Sequence, residues 1–142
     1  MIVCCDIDHT LSHAAWRDDL IEAALESGNW DAYHALGPED KPATPIINLV
    51  IALHNAGHEI YIVTARPKKW LTQTFSWLHK NGVLVDIAHI LMRPDDVFRP
   101  SAELKQQLVK DLKVDLLIED REDVVESFTK TGVTTLQVRL VS

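Results

Sequence analysis

Met1-Ile2-Val3-Cys4-Cys5-Asp6-Ile7-Asp8-His9-Thr10 decides how this chain is read. Met1 to Cys5 is apolar and too short for a helix, so it reads as a buried strand. Asp6 and Asp8 follow at its C-terminal end, two apart, and in extended geometry both point the same way. Folding alone does not ask for such a pair. Neighbouring anions repel unless a cation or a shared proton relieves them. In sheets built from alternating strands and helices, the C-terminal edge is where ligands bind. Asp6 and Asp8 are therefore candidates to hold a hard divalent cation, and one of them to do chemistry as well.

Further along, the same organisation recurs. Val114 to Ile118 is an apolar strand that runs into Glu119-Asp120-Arg121-Glu122-Asp123. Glu59 to Val63 runs into Thr64-Ala65-Arg66, and His89 to Met92 into Arg93. Helical spacing marks the segments between strands. One starts at Thr44-Pro45 and stops at Gly57, a second spans Lys68 to Lys80, a third carries Leu104, Leu108 and Leu112, and a fourth carries Val124, Val125 and Phe128. Thr134 to Arg139 is the last strand. The pattern is α/β, a doubly wound and mainly parallel sheet. A parallel sheet gathers the strand ends on one edge. Asp6, Asp8, Thr64, Arg66, Glu119 and Asp120 should converge there, with Lys105 arriving from the first turn of the helix before the fourth strand. A metal, a hydroxyl donor and cations around a nucleophilic carboxylate make a phosphoryl-transfer site.

The whole chain, residues 1–142, reads as one domain. Residues 11–45 form an insert after the first strand. In it Trp16, Leu20 and Ala23 recur at helical spacing up to Gly28, and Asn29 to Leu36 make a second short helix broken by Gly37-Pro38. Trp16, Trp30 and Tyr33 either anchor this insert or stack a base. No apolar run reaches membrane-spanning length, and the first strand is no signal peptide. Cys4 and Cys5 are strand neighbours that cannot pair with each other, which fits buried thiols and a cytoplasmic setting. The formal net charge is −7. A grip on a long nucleic acid normally needs a basic face, so a small nucleotide or a chain end is the better substrate.

The DxDxT run at Asp6, the Thr64-Ala65-Arg66 step, Lys105 and the Ile118-Glu119-Asp120-Arg121 step occur in the order of the four motifs of haloacid-dehalogenase-type phosphatases. The stretch from Arg99 to Lys105, with Val124-Val125-Glu126, Gly132-Val133 and Gln137-Val138, resembles the 3′-phosphatase domain of phage polynucleotide kinase. The resemblance implies a five-stranded sheet of order 5-4-1-2-3 with residues 11–45 as a small helical cap. It implies Asp6 as nucleophile, Asp8 as general acid and base, and Thr64 and Lys105 as phosphoryl ligands. Mg²⁺ would be held by Asp6, the Asp8 carbonyl and Asp120, with Glu119 beside them, and Arg66 would shape the site or contact substrate; apart from the resemblance, His9 either narrows the turn or adds a donor that contacts substrate. The substrate it implies is a phosphorylated nucleotide or nucleic-acid end, 3′-phosphate favoured. Free nucleoside monophosphates, another small phosphometabolite, and a non-catalytic reader of phosphate ends are the alternatives. Two positions depart from the pattern: His9 stands where Gly is usual, and Ser101 where close relatives have Asp.

Overall fold

A computed structural model of the chain describes residues 1–141. The main sheet has five strands: β1 (Ile2–Cys5), β4 (Glu59–Pro67), β5 (Ile90–Arg93), β6 (Leu116–Glu119) and β7 (Thr134–Gln137). A two-stranded antiparallel hairpin, β2 (Ser12–His13) and β3 (Lys41–Pro42), brackets the insert. The order across the main sheet is β5-β4-β1-β6-β7, and every neighbouring pair is parallel. The numbers differ from the expected 5-4-1-2-3 because the hairpin adds two strands. With those two skipped, the succession of neighbours is the same, read from the opposite edge.

Alternation along β1 divides the core. Val3 and Cys5 face one side with Ile60, Ile62 and Ile118, under α3 (Thr44–Asn55) and α4 (Leu71–Lys80). Cys4 faces the other with Val63, Leu117, Val124 and Phe128, under α5 (Ser101–Leu108) and α6 (Glu122–Lys130). A strand buried on both faces must be apolar throughout. That is why Ile-Val-Cys-Cys shows no polar alternation. Both cysteines are free and buried.

Several element limits differ from the sequence reading. Thr44 is the first residue of α3, whose N-cap is Ala43, with no side-chain cap. Helix α5 ends at Leu108, and Leu112 packs on the core from the turn beyond it. Lys105 is the fifth residue of α5, a full turn inside the helix and not in its first turn. Strand β7 stops at Gln137. The insert opens as a 3₁₀ helix, Ala15–Leu20, before α1 (Ile21–Ser27), and α2 (Asp31–Ala35) is a single short turn of helix. Short helices of this kind are held by packing, not by propensity.

The insert sits on α4 and on the 3₁₀ turn before it, Lys68–Trp70. Trp77 Nε1 donates to the Asp40 carbonyl, Lys69 pairs with Asp31, and the His34 ring lies 6.2 Å from that of Trp70. Burial lowers the His34 pKa from 6.5 to about 4, with Asp8 pulling the other way. Folding therefore holds His34 neutral. Stability is complete above pH 6.5 and is lost as the unfolded imidazole takes up a proton, by about 2 kcal/mol at about pH 5. Melting temperature should fall between neutral pH and about pH 5, and His34→Phe should flatten that slope. An unchanged slope would contradict the assignment.

Candidate active site

The chain leaves β1 at Cys5, and Asp6 is the first residue beyond it. Its backbone N–H still donates to Ile118 of β6 at 3.0 Å, which fixes the carboxylate at the edge of the sheet. The next residues turn tightly. Thr10, Leu11 and Ser12 all donate backbone N–H groups to the Ile7 carbonyl, and His9 adopts a left-handed backbone with φ 63°. Asp8 still bridges Ser12, so the turn begins at His9. The two carboxylates face different partners.

Asp6 Oδ1 accepts from Lys105 Nζ at 2.9 Å, and the same ammonium donates to Glu119 Oε2 at 2.7 Å. All three groups are buried. Thr10 Oγ1 reaches Asp6 Oδ2 at 3.3 Å and Asp120 Oδ1 at 3.2 Å. Carboxylate oxygens of Asp6, Glu119 and Asp120 lie within 4.8 Å of one another. Burial and then the Asp6 charge raise Glu119, despite Lys105. The same two causes push Asp120 up to about 6. Lys105 is raised too, its two carboxylates outweighing the cost of burial. A cluster this crowded fits a hard divalent cation, which takes oxygen ligands and relieves the repulsion. Glu119 is the more committed acid, since its Oε1 accepts the N–H groups of Asp120 and Arg121 while Oε2 holds Lys105. Asp120 has no cation against its carboxylate among the described residues.

Asp8 lies outside that cluster. Its Oδ1 accepts from Arg17 Nη2 and from Arg66 Nη2 at 2.8 Å, and Oδ2 from Arg66 Nε at 3.1 Å. Burial alone would raise this carboxyl, but Arg66 and then Arg17 outweigh it and hold Asp8 well below the usual carboxylate range. Both guanidiniums are built in. Arg17 also holds Asp40 through Nε at 2.9 Å and Nη2 at 2.7 Å, donates to the Tyr33 carbonyl, and lies 4.3 Å over the Tyr33 ring. Arg66 donates to Thr74 of α4. A β-carbon at Gly37 would stand 3.4 Å from Arg66 Nη1 and Nη2, so this glycine of the insert lies against the guanidinium.

The remaining expected residues are placed as follows. Thr64 is fully buried, and its Oγ1 accepts the Arg66 N–H at 3.1 Å, where the pairing of β4 with β5 shifts register. His9 is partly exposed, with Nε2 3.3 Å from Asp18 of the insert. Asp123 pairs with Arg121 on the surface. Tyr33 is core, while Trp16 is half exposed and donates to Asp40. Arg17 and Asp40 were not anticipated. The signal was present: the Asp8 carboxylate needs a counter-cation, and Arg17 is the one arginine in an insert otherwise rich in acids.

The model of the phosphatase domain of polynucleotide kinase matches residues 1–140. The chain belongs to that family, within the haloacid-dehalogenase-type phosphatases. Its fold matches a chain of the Pnkp1/Rnl/Hen1 RNA repair complex with a TM-score of 0.81, at 22% identity, over 97% of this chain and 42% of that one. A class C acid phosphatase from Bacillus anthracis matches with a TM-score of 0.68, at 16% identity, over 97% of this phosphatase domain and 65% of the other chain. A provisionally named nucleotidase from Oceanobacillus iheyensis is 33% identical over 94 residues, which are 66% of this chain and 47% of that protein. The phosphatase domain thus spans about half the length of this curated relative. No helix among the described residues is long and apolar enough to cross a membrane.

Removing Lys105 leaves two buried carboxylates facing each other. Lys105→Met should cost about 3–5 kcal/mol in denaturant unfolding. Adding Glu119→Gln should restore part of it. A Lys105→Met variant as stable as the parent would contradict the arrangement.

Proposed function

We propose that this phosphatase domain is a Mg²⁺-dependent phosphomonoesterase that works through a phosphoryl group on Asp6. Its substrate is the terminal phosphate of a nucleotide or nucleic-acid end, with 3′-phosphate preferred. The observation that carries this is Asp6 itself: a buried carboxylate at the sheet edge, between the Lys105 ammonium and the Asp120 carboxylate. The family match supports the reaction class. The substrate class draws support from a relative named as a nucleotidase and from the place of the Pnkp1 chain in an RNA repair complex.

Asp6, Asp120 and the Asp8 backbone carbonyl, with Glu119 beside them, would hold Mg²⁺, and its charge would offset the repulsion between a carboxylate nucleophile and an anionic substrate. The protein does the rest. Asp6 attacks phosphorus, and the ester oxygen leaves with a proton from Asp8. Water then attacks phosphorus, Asp8 takes its proton, and inorganic phosphate departs from Asp6. Lys105 and Thr64 bind the non-attacking oxygens, while Arg66 and His9 contact the substrate. Asp8 rests as an anion between two guanidiniums and must gain a proton before it donates one. A phosphate drawn toward Arg66 competes for that guanidinium, loosens its hold on Asp8 and raises the proton affinity of the carboxyl. Residues 11–45 act as the cap that carries Arg17 into place.

Asp6→Asn should abolish turnover with the fold intact. Asp8→Asn should lose far more activity on alkyl phosphates than on nitrophenyl phosphate, whose leaving group needs little protonation. Equal losses on both would remove Asp8 as the acid. Millimolar Mg²⁺ should raise the melting temperature of the parent and leave Asp120→Ala unmoved. A melt indifferent to Mg²⁺ with activity that survives EDTA would refute the metal. A panel of 3′-phosphorylated oligonucleotide, 3′- and 5′-nucleotides and sugar phosphates tests the substrate. If only free nucleotides turn over, the nucleotidase reading replaces the end-processing one.

A further inference from the structure

Between the C-terminal end of β5 and the start of α5, residues 94–100 form a loop beside the site. Arg93, the last residue of β5, donates to the carbonyl of Ala65, the residue between Thr64 and Arg66. At the loop's other end, α5 carries Lys105 to Asp6. The loop is braced from within. Arg93 Nη1 donates to the carbonyls of Val97 at 3.1 Å and Arg99 at 2.7 Å, and Asp95 accepts the Lys69 N–H. At its crest Phe98 is 83% exposed, and Arg99 beside it is exposed as well. Neither Arg93 nor Arg99 has a carboxylate within salt-bridge distance among the described residues, although the protein carries net charge −7. Burial and then the charge of Arg121, the residue after Asp120, lower the Arg93 pKa. Three guanidinium-bearing residues thus stand on the α5 side of the site.

An exposed aromatic on a braced loop has no packing role, and unpaired arginines in an acidic protein have no charge-balancing one. Together they fit a single-stranded nucleic acid, which offers flat apolar bases linked by phosphates. Resting on the proposed action at a phosphorylated end, we infer that Phe98 stacks on a base of the substrate strand and that Arg99 contacts the phosphodiester next to it. Phe98 is then a residue that distinguishes an oligonucleotide end from other phosphomonoesters. Tyr33 of the insert does not take this role, because it is buried under Arg17.

The test compares the parent with Phe98→Ala, Phe98→Trp and Arg99→Gln on a single-stranded 3′-phosphorylated oligonucleotide and on nitrophenyl phosphate. Phe98→Ala should raise KM for the oligonucleotide about tenfold and leave kcat/KM for nitrophenyl phosphate unchanged. Phe98→Trp should restore the oligonucleotide KM. Arg99→Gln should lower the salt dependence of oligonucleotide turnover by about one counterion. If the parent cleaves the oligonucleotide and Phe98→Ala cleaves it with the same KM, this inference fails alone. Equal losses on both substrates would also overturn it, as a structural effect. If the parent hydrolyses nitrophenyl phosphate but never the oligonucleotide, the inference falls together with the end-processing reading.

Discussion

The ammonium of Lys105, buried between Asp6 and Glu119, is the interaction on which this site depends. Three carboxylates at the ends of β1 and β6 would otherwise push the sheet edge apart. One buried cation cannot neutralise three acids. Burial and then the uncompensated charge of Asp6 raise the proton affinities of Glu119 and Asp120. The folded chain therefore keeps a local excess of negative charge that a divalent cation relieves. Such an excess works against folding and serves ligand binding, as is common at functional sites.

A second charge system, built around Asp8, couples the insert to the sheet. Arg17 comes from the insert, Arg66 from the end of β4, and both close on Asp8. Asp40, also from the insert, closes the far side of Arg17, and its carbonyl takes the indole N–H of Trp77 on α4. The insert is thereby fixed through the same carboxylate that the proposed chemistry needs. Positioning of the acid and docking of the insert are one network, so a change in either is felt in the other.

Much of this was legible in the sequence because strand ends announce themselves. Apolar runs that stop at Asp6, Thr64, Arg93 and Glu119 place those residues on one edge through the topology alone. The geometry beyond a strand end was not legible. Asp6 and Asp8 share a period-two spacing, yet they meet different cations, Lys105 at Asp6 and the Arg17 and Arg66 guanidiniums at Asp8. Glu119 and Asp120 differ for the converse reason: they alternate in sequence, but the chain turns toward α6 after Glu119 and brings both near Asp6. Arg17 escaped notice because its role depends on a fold of the insert whose helices are too short to leave a clear periodic trace. The register shift near Arg66 belongs to the same class, since it follows from pairing with β5 and not from local composition.

The central claim is that Asp6 carries the phosphoryl group during turnover. Mass spectrometry of Asp8→Asn, quenched in acid while hydrolysing nitrophenyl phosphate with Mg²⁺, tests it most directly. That variant forms the adduct readily and lacks the base that speeds its hydrolysis. The account predicts one added phosphoryl group, located to the peptide that contains Asp6 and absent when Asp6 is also replaced by Asn. Sustained hydrolysis with no adduct, or an adduct on another residue, would contradict it.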